Sequence, residues 1–254
     1  MILLHRLTPF ALALVLGLGF WLAVRLPSSP LLSLVLALAV SFVLLGRLVG
    51  WQPKSGMFWN LVFAPLAFAG TGMALFLLLE APLEQTALAA LVCVLAFAFA
   101  EQVFAYVQVP VTYQPYAIQH LSLGMNALTV FFAAAFFFGT RTFMQTPLWL
   151  STPAMFILCA YVLYQALWVS KMEHARALVY GVCGGLVLAE VFLALSFLPT
   201  GIYVNAAVTA LAAYAFLGLS RAWFLEQANK RLVSRYVTAI ALFAALLFLT
   251  AQWL

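Results

Sequence analysis

Nine apolar runs, each close to the roughly twenty residues that a helix needs to cross lipid, divide this chain from end to end. They fall at 8–25, 30–47, 57–79, 84–107, 116–139, 147–169, 177–198, 202–220 and 235–253. Backbone amides and carbonyls find no water in a bilayer, so they must pair within their own segment, and runs of this length do so as helices. Barrel strands would alternate every second residue, and these runs do not. Only 7% of the 254 residues are charged and 67% are hydrophobic, whereas a soluble domain carries about 25% charge. The expected fold is therefore all-α: a polytopic integral membrane protein of about nine transmembrane helices, forming one domain over 1–254.

The first run follows His5 and Arg6 but is too long for a signal-peptide core, and no A-x-A cleavage site follows it, so it reads as a retained helix. Alternating the loops between two sides sorts the basic residues sharply. Arg6, Arg47, Lys54, Lys171, Arg176, Arg221, Lys230, Arg231 and Arg235 fall on one side; Arg25 and Arg141 fall on the other. The basic side is cytoplasmic by the positive-inside rule. This places the N-terminus inside and the C-terminus outside. Tryptophan agrees, with Trp21, Trp149 and Trp253 near outer ends and Trp51, Trp59, Trp168 and Trp223 near inner ones, at headgroup level.

The longest loop, SRAWFLEQANKRLVSRY (220–236), interleaves Trp223, Phe224, Leu225 and Leu232 with Arg and Lys. It fits an amphipathic helix on anionic headgroups near 221–235, or a basic cytoplasmic loop obeying the charge rule alone. No loop is long enough for a soluble domain. The lipid bilayer is the expected partner; a protein partner is open, and scattered basic residues give nucleic acid no patch to bind. Cys93, Cys159 and Cys183 lie far apart in apolar runs with no metal or redox spacing.

The longest polar passage is FAEQVFAYVQVPVTYQPYAIQHLSLGMN (99–126). In the fourth run Ala87, Ala90, Val94, Ala98, Glu101, Ala105 and Gln108 recur at helical spacing, a face of small residues expected to pack against another helix. In the fifth, Gln119, Ser122, Asn126, Thr129 and Ala133 share a face with His120 beside it. A short loop joins the two, so Glu101 and His120 are expected at similar depth. Within reach of each other they form a proton relay or cation site; otherwise they lock two helices or meet headgroups. Glu190 lies inside the seventh run, where a carboxyl is costly: it is either a proton-carrying or ion-binding group or a protonated carboxyl bonded between helices. The turn Pro199-Thr200-Gly201 would bring Asn205 and Thr209 across from it. Gly181 and Gly185 form a GxxxG, expected to serve intramolecular packing. Pro65 would kink the third helix or be tolerated by its neighbours.

The runs EQVFAYVQVPVTYQPYAIQHLSLGMNALTVFF (101–132) and LAEVFLALSFLPTGIYVNAAVTALAAYAFLGLSRAWF (188–224) resemble an uncharacterised family of short polytopic bacterial inner-membrane proteins. The resemblance implies a bacterial inner-membrane location and carries no assigned activity and no catalytic residues.

Absences narrow the chemistry. Asp is missing, so paired-Asp metal sites cannot be built. There is no HExxH, GxSxG, P-loop or K⁺-channel filter sequence. No cofactor or metal is expected. Three functions stay open: a proton-linked or small-solute transporter or channel using Glu101, His120 and Glu190; a non-enzymatic membrane scaffold; and, ranked last, an enzyme acting on lipid-linked substrates.

Overall fold

A computed structural model describes residues 5–26, 28–114 and 116–224, with isolated positions between 234 and 245. Among the described residues eight helices are long and apolar enough to cross a membrane, and no strand occurs. They are α1 (Thr8–Arg25), α2 (Pro30–Val49), α3 (Gly56–Phe76), α4 (Pro82–Gln108), α5 (Ala117–Met144), α6 (Leu148–Val169), α7 (His174–Leu195) and α8 (Ile202–Phe224). A single 3-10 turn, Pro110–Thr112, lies between α4 and α5. The architecture is that of a multi-pass membrane protein whose apolar helices contact the bilayer. Most of the ninth expected span, 235–253, lies outside the described residues. So does most of the expected surface helix; its first residues, through Phe224, continue α8.

The boundaries follow local chemistry. Proline opens α1, α2 and α4 within their first two positions, where its missing amide costs nothing and its fixed φ suits a helix. Arg25, Arg47, Arg141 and Arg221 stand in the last turns of α1, α2, α5 and α8, complementing the negative end of the dipole. The α3 helix runs through Pro65, which is buried among its neighbours.

The chain divides into two compact units, Met1–Met125 and Asn126–Leu254. In the first, α1 packs on α2 and α4, α2 on α3 and α4, and α3 on α4. Gly19 sets the α1–α2 approach, because a Cβ there would lie 2.5 Å from that of Ala37. Phe20 meets Phe76 with ring centroids 4.9 Å apart, and Phe58, Phe68 and Phe99 are fully enclosed.

In the second unit α7 packs on α6 and α8, and α6 on α8. The expectation for the GxxxG holds. A Cβ on Gly185 would come 2.8 Å from Ala160 Cα, and one on Gly181 would come 2.9 Å from Tyr164 Cβ. Both glycines are notches for α6 rather than a surface for another chain. Gly184, between them in sequence, admits Phe216 of α8 and Leu163 of α6. The α6–α7 turn is a Schellman motif. Met172 N–H donates to Leu167 O at 3.2 Å and Lys171 N–H to Trp168 O at 2.9 Å, with Lys171 in the left-handed region at φ 64°.

One expectation about faces is corrected. The small-residue stripe of α4 is not its packing face. Ala87, Ala90 and Val94 are exposed, while Leu88, Val92, Ala96, Phe99, Ala100 and Val103 are buried. Helix association in lipid is driven by van der Waals packing, and in α4 the face carrying Leu, Val and Phe offers more of it than the alanine stripe. The stripe is left over, and lower down it leaves space.

Candidate functional site

That space lies between the last third of α4 and the first turns of α5, wholly within the first unit. It is an open groove of about 490 Å³ lined by Phe97, Ala98, Glu101, Gln102, Ala117, His120 and Leu121. Ala98 and Ala117 are among its walls, and their methyl side chains fill little volume. Phe97 is one wall, fixed by Phe10 of α1 at a centroid distance of 4.9 Å.

The groove brings Glu101 and His120 together, as their expected depths require. Glu101 is half-buried and its Oε2 is fully enclosed without a hydrogen-bond partner. His120 is exposed at the rim, and its backbone N–H donates to Tyr116 O at 3.0 Å. No hydrogen bond joins the two side chains. Glu101 therefore holds an enclosed carboxyl oxygen that the protein leaves unsatisfied, one helix away from an imidazole.

The loop between α4 and α5 holds this pair in place. Tyr106 and Tyr113 meet edge to face at 5.2 Å. The Tyr113 hydroxyl accepts from Ile118 N–H at 3.4 Å, covering one of the four amides that a helix start leaves unpaired. Tyr116 takes φ 70°, a left-handed conformation uncommon for a non-glycine residue. It turns the chain into α5 four residues before His120. Gln108 Nε2 reaches Leu48 O at 3.4 Å, joining the ends of α4 and α2.

The remaining expected site residues do other things. Gln119, Ser122, Asn126 and Thr129 form a buried face of α5, as their spacing requires. Asn126 Nδ2 donates to Gln165 Oε1 of α6 at 2.7 Å. Both residues are almost fully enclosed, at 3% and 0% exposure, so this is a helix-locking pair with no path to solvent. Gln165 was the partner that sequence reasoning missed. Its signal was a lone amide in the apolar run YVLYQALWV (161–169).

Glu190 does not meet Asn205 or Thr209, which corrects the expected pairing across the α7–α8 turn. Asn205 and Thr209 are buried, and Glu190 is exposed. Asn205 Oδ1 accepts from the Thr200 hydroxyl, and its Nδ2 reaches Leu195 O at 3.3 Å. Thr209 Oγ1 bonds back to Asn205 O at 2.8 Å. The amide is used up in closing the turn, and it caps the carbonyl end of α7. Glu190 instead stands on the exposed face of α7 with Val182, Leu186 and Val187, and bonds to no described residue.

Among the described residues no three His, Cys, Asp or Glu side chains gather as a metal site would require. Comparison with protein-family models, with curated proteins and with solved structures finds no match.

Proposed function

We propose that this chain is a multi-pass protein of the bacterial inner membrane that moves protons or a small solute, with the groove at Glu101 and His120 as its polar site. One observation carries the reading: an intramembrane carboxyl with an unsatisfied, enclosed oxygen shares an open cavity with an imidazole. Proton relays and ion pathways need ionisable groups at membrane depth that are reachable and not already committed to structure. Asn126, Asn205 and Thr209 fail that criterion because their bonds are spent on packing; Glu101 is not committed to structure, its Oε2 enclosed beside the groove, and His120 is open at the rim. The distribution of Lys and Arg supports a cytoplasmic N-terminus, which puts the groove toward the cytoplasmic end.

The test is flux of protons and monovalent cations in proteoliposomes. Wild type should conduct or exchange, and Glu101→Gln should lose at least about 90% of that flux, since a proton or ion step served by one carboxyl has no substitute. Absence of wild-type flux under gradients of either sign would end the transport reading.

Glu190 supports a second reading, that of a scaffold. A carboxyl on an exposed apolar face of a membrane helix costs about 2.5–3.5 kcal/mol by insertion scales if it meets lipid. A partner helix offering a polar group would remove that cost. A photo-crosslinker at position 190 should then capture one partner in stoichiometric yield. Crosslinks to lipid alone would leave the scaffold unsupported.

A further inference from the structure

We propose that the join between α2 and α3 is a docking surface for the headgroup of an anionic phospholipid. The surface is independent of the Glu101 groove and of the transport reading. Its shape begins at Gly50, which takes φ 80°, a conformation that favours glycine, and turns the chain at the end of α2. Trp51, next in sequence, lies back over that helix. A Cβ on Gly46 would come 2.8 Å from its ring, and Phe42 meets it edge to face at 5.6 Å. Trp59, in the first turn of α3, is fixed from the other side. Its Nε1–H donates to Pro53 O at 2.8 Å, and its ring stacks on Phe63 at 5.2 Å. The buried Phe58 touches both indoles, at 5.8 and 5.1 Å. Both indoles still keep open surface: Trp51 is 53% exposed and Trp59 38%. Phe63, one helical turn or about 6 Å further along α3, is 41% exposed.

The charge at this join is one-sided. Arg47 and Lys54 flank Trp51 in sequence, and both are exposed. Residues 1–79 contain no Asp or Glu, and the first acid, Glu80, stands beyond the far end of α3. Neither cation forms an ion pair among the described residues. An anion is what the join lacks. A phosphate at the level of the indoles would meet both cations, and the lipid chains would run along Phe63. Tryptophan prefers that headgroup level. A zwitterionic headgroup would bring its own cation beside Arg47 and Lys54. A soluble anion would use the two cations and leave the fixed aromatic surface unused.

The probe is dioctanoyl phosphatidylglycerol, titrated by calorimetry into the full chain in dodecyl maltoside, with dioctanoyl phosphatidylcholine as the zwitterionic control. Wild type should bind the glycerol lipid saturably and at least about tenfold tighter than the choline lipid, since each Lys or Arg near anionic headgroups contributes roughly fivefold. Arg47→Gln with Lys54→Gln should remove that preference. Lys171→Gln with Arg176→Gln, the same change of charge at the α6–α7 join, should leave it as in wild type. Gly46→Leu, whose side chain collides with the Trp51 ring and alters no charge, should weaken phosphatidylglycerol binding severalfold. Trp51→Ala should do the same without placing any strain on α2. Inorganic phosphate should compete no better than chloride of equal ionic strength.

Equal binding of the two lipids or no saturable binding would overturn the proposal. So would equal losses from the two double variants, which would reduce the effect to overall charge. Wild-type binding by both Gly46→Leu and Trp51→Ala would remove the aromatic surface from it, and effective competition by phosphate would replace the lipid with a free anion.

Discussion

Lys171 shows how one backbone torsion sets a testable quantity. Its φ of 64° places a side chain in a conformation that costs an L-residue roughly 1–2 kcal/mol. Lys171→Gly should therefore raise stability by about 1 kcal/mol in detergent denaturation, and an unchanged midpoint would mean that contacts of the lysine side chain offset the strain. The buried amide pair makes the opposite point. Asn126→Leu leaves Gln165 Oε1 without its donor and should cost about 1–3 kcal/mol. Asn126→Leu with Gln165→Leu should fall nearer wild type, because neither polar group is then stranded. A double-mutant cycle should give a coupling of about 0.6–1.7 kcal/mol; strict additivity would show that the bond contributes nothing. Asn126 was legible as sharing one helix face with Gln119 and Ser122, but its burial and its role were not. That depends on which residue of α6 stands opposite, and nothing local to α5 encodes it.

Among the elements, glycines with the same chemistry have opposite uses. A Cβ on Gly185 meets the backbone of Ala160 at 2.8 Å, whereas one on Gly124 meets nothing within 4 Å. Gly185→Leu should loosen α6 from α7 and cost about 1–3 kcal/mol. Gly124→Ala should gain up to about 1 kcal/mol from helix propensity. Thermal unfolding of the two purified variants separates these signs, and a neutral Gly185→Leu would remove the notch as a packing device. The GxxxG was readable in advance because its spacing puts both glycines on one face. The alanine stripe of α4 misled for the same reason: spacing identifies a face without saying whether a neighbour fills it. Ala98 and Glu101 border a groove because the opposite face, with Val92, Phe99 and Val103, supplies the packing. Glu190 misled through distance along the chain. A turn brings two helices together, but rotation about the helix axis decides which side chains meet, and α7 turns Ala189 and Phe192 inward while Glu190 faces out.

For the whole molecule, length and apolarity alone located all eight described helices, because a bilayer demands continuous backbone pairing and tolerates few charges. Their ends moved by a few residues, since capping and turn geometry are decided locally. Sidedness is a separate question, and single-cysteine labelling answers it. Positions 55 and 171 should label from one side and position 145 from the other. A reporter at position 254 should follow 145 if the final segment spans and 55 if it does not. The α6–α7 pair carries a consequence for how the chain enters its membrane. Four residues join these helices, a hydrogen-bonded cap fixes the join, and glycine notches seat one helix on the other. Tyr164 OH also meets His174 Nδ1 at 3.0 Å across the join. Such a pair is built as one hairpin. Its tip holds Lys171 and Arg176, and carrying a cation through the hydrocarbon costs about 3 kcal/mol by insertion scales. A seated pair would have to carry that cationic tip through the hydrocarbon in order to turn over, so it behaves as a barb that sets once and does not reverse.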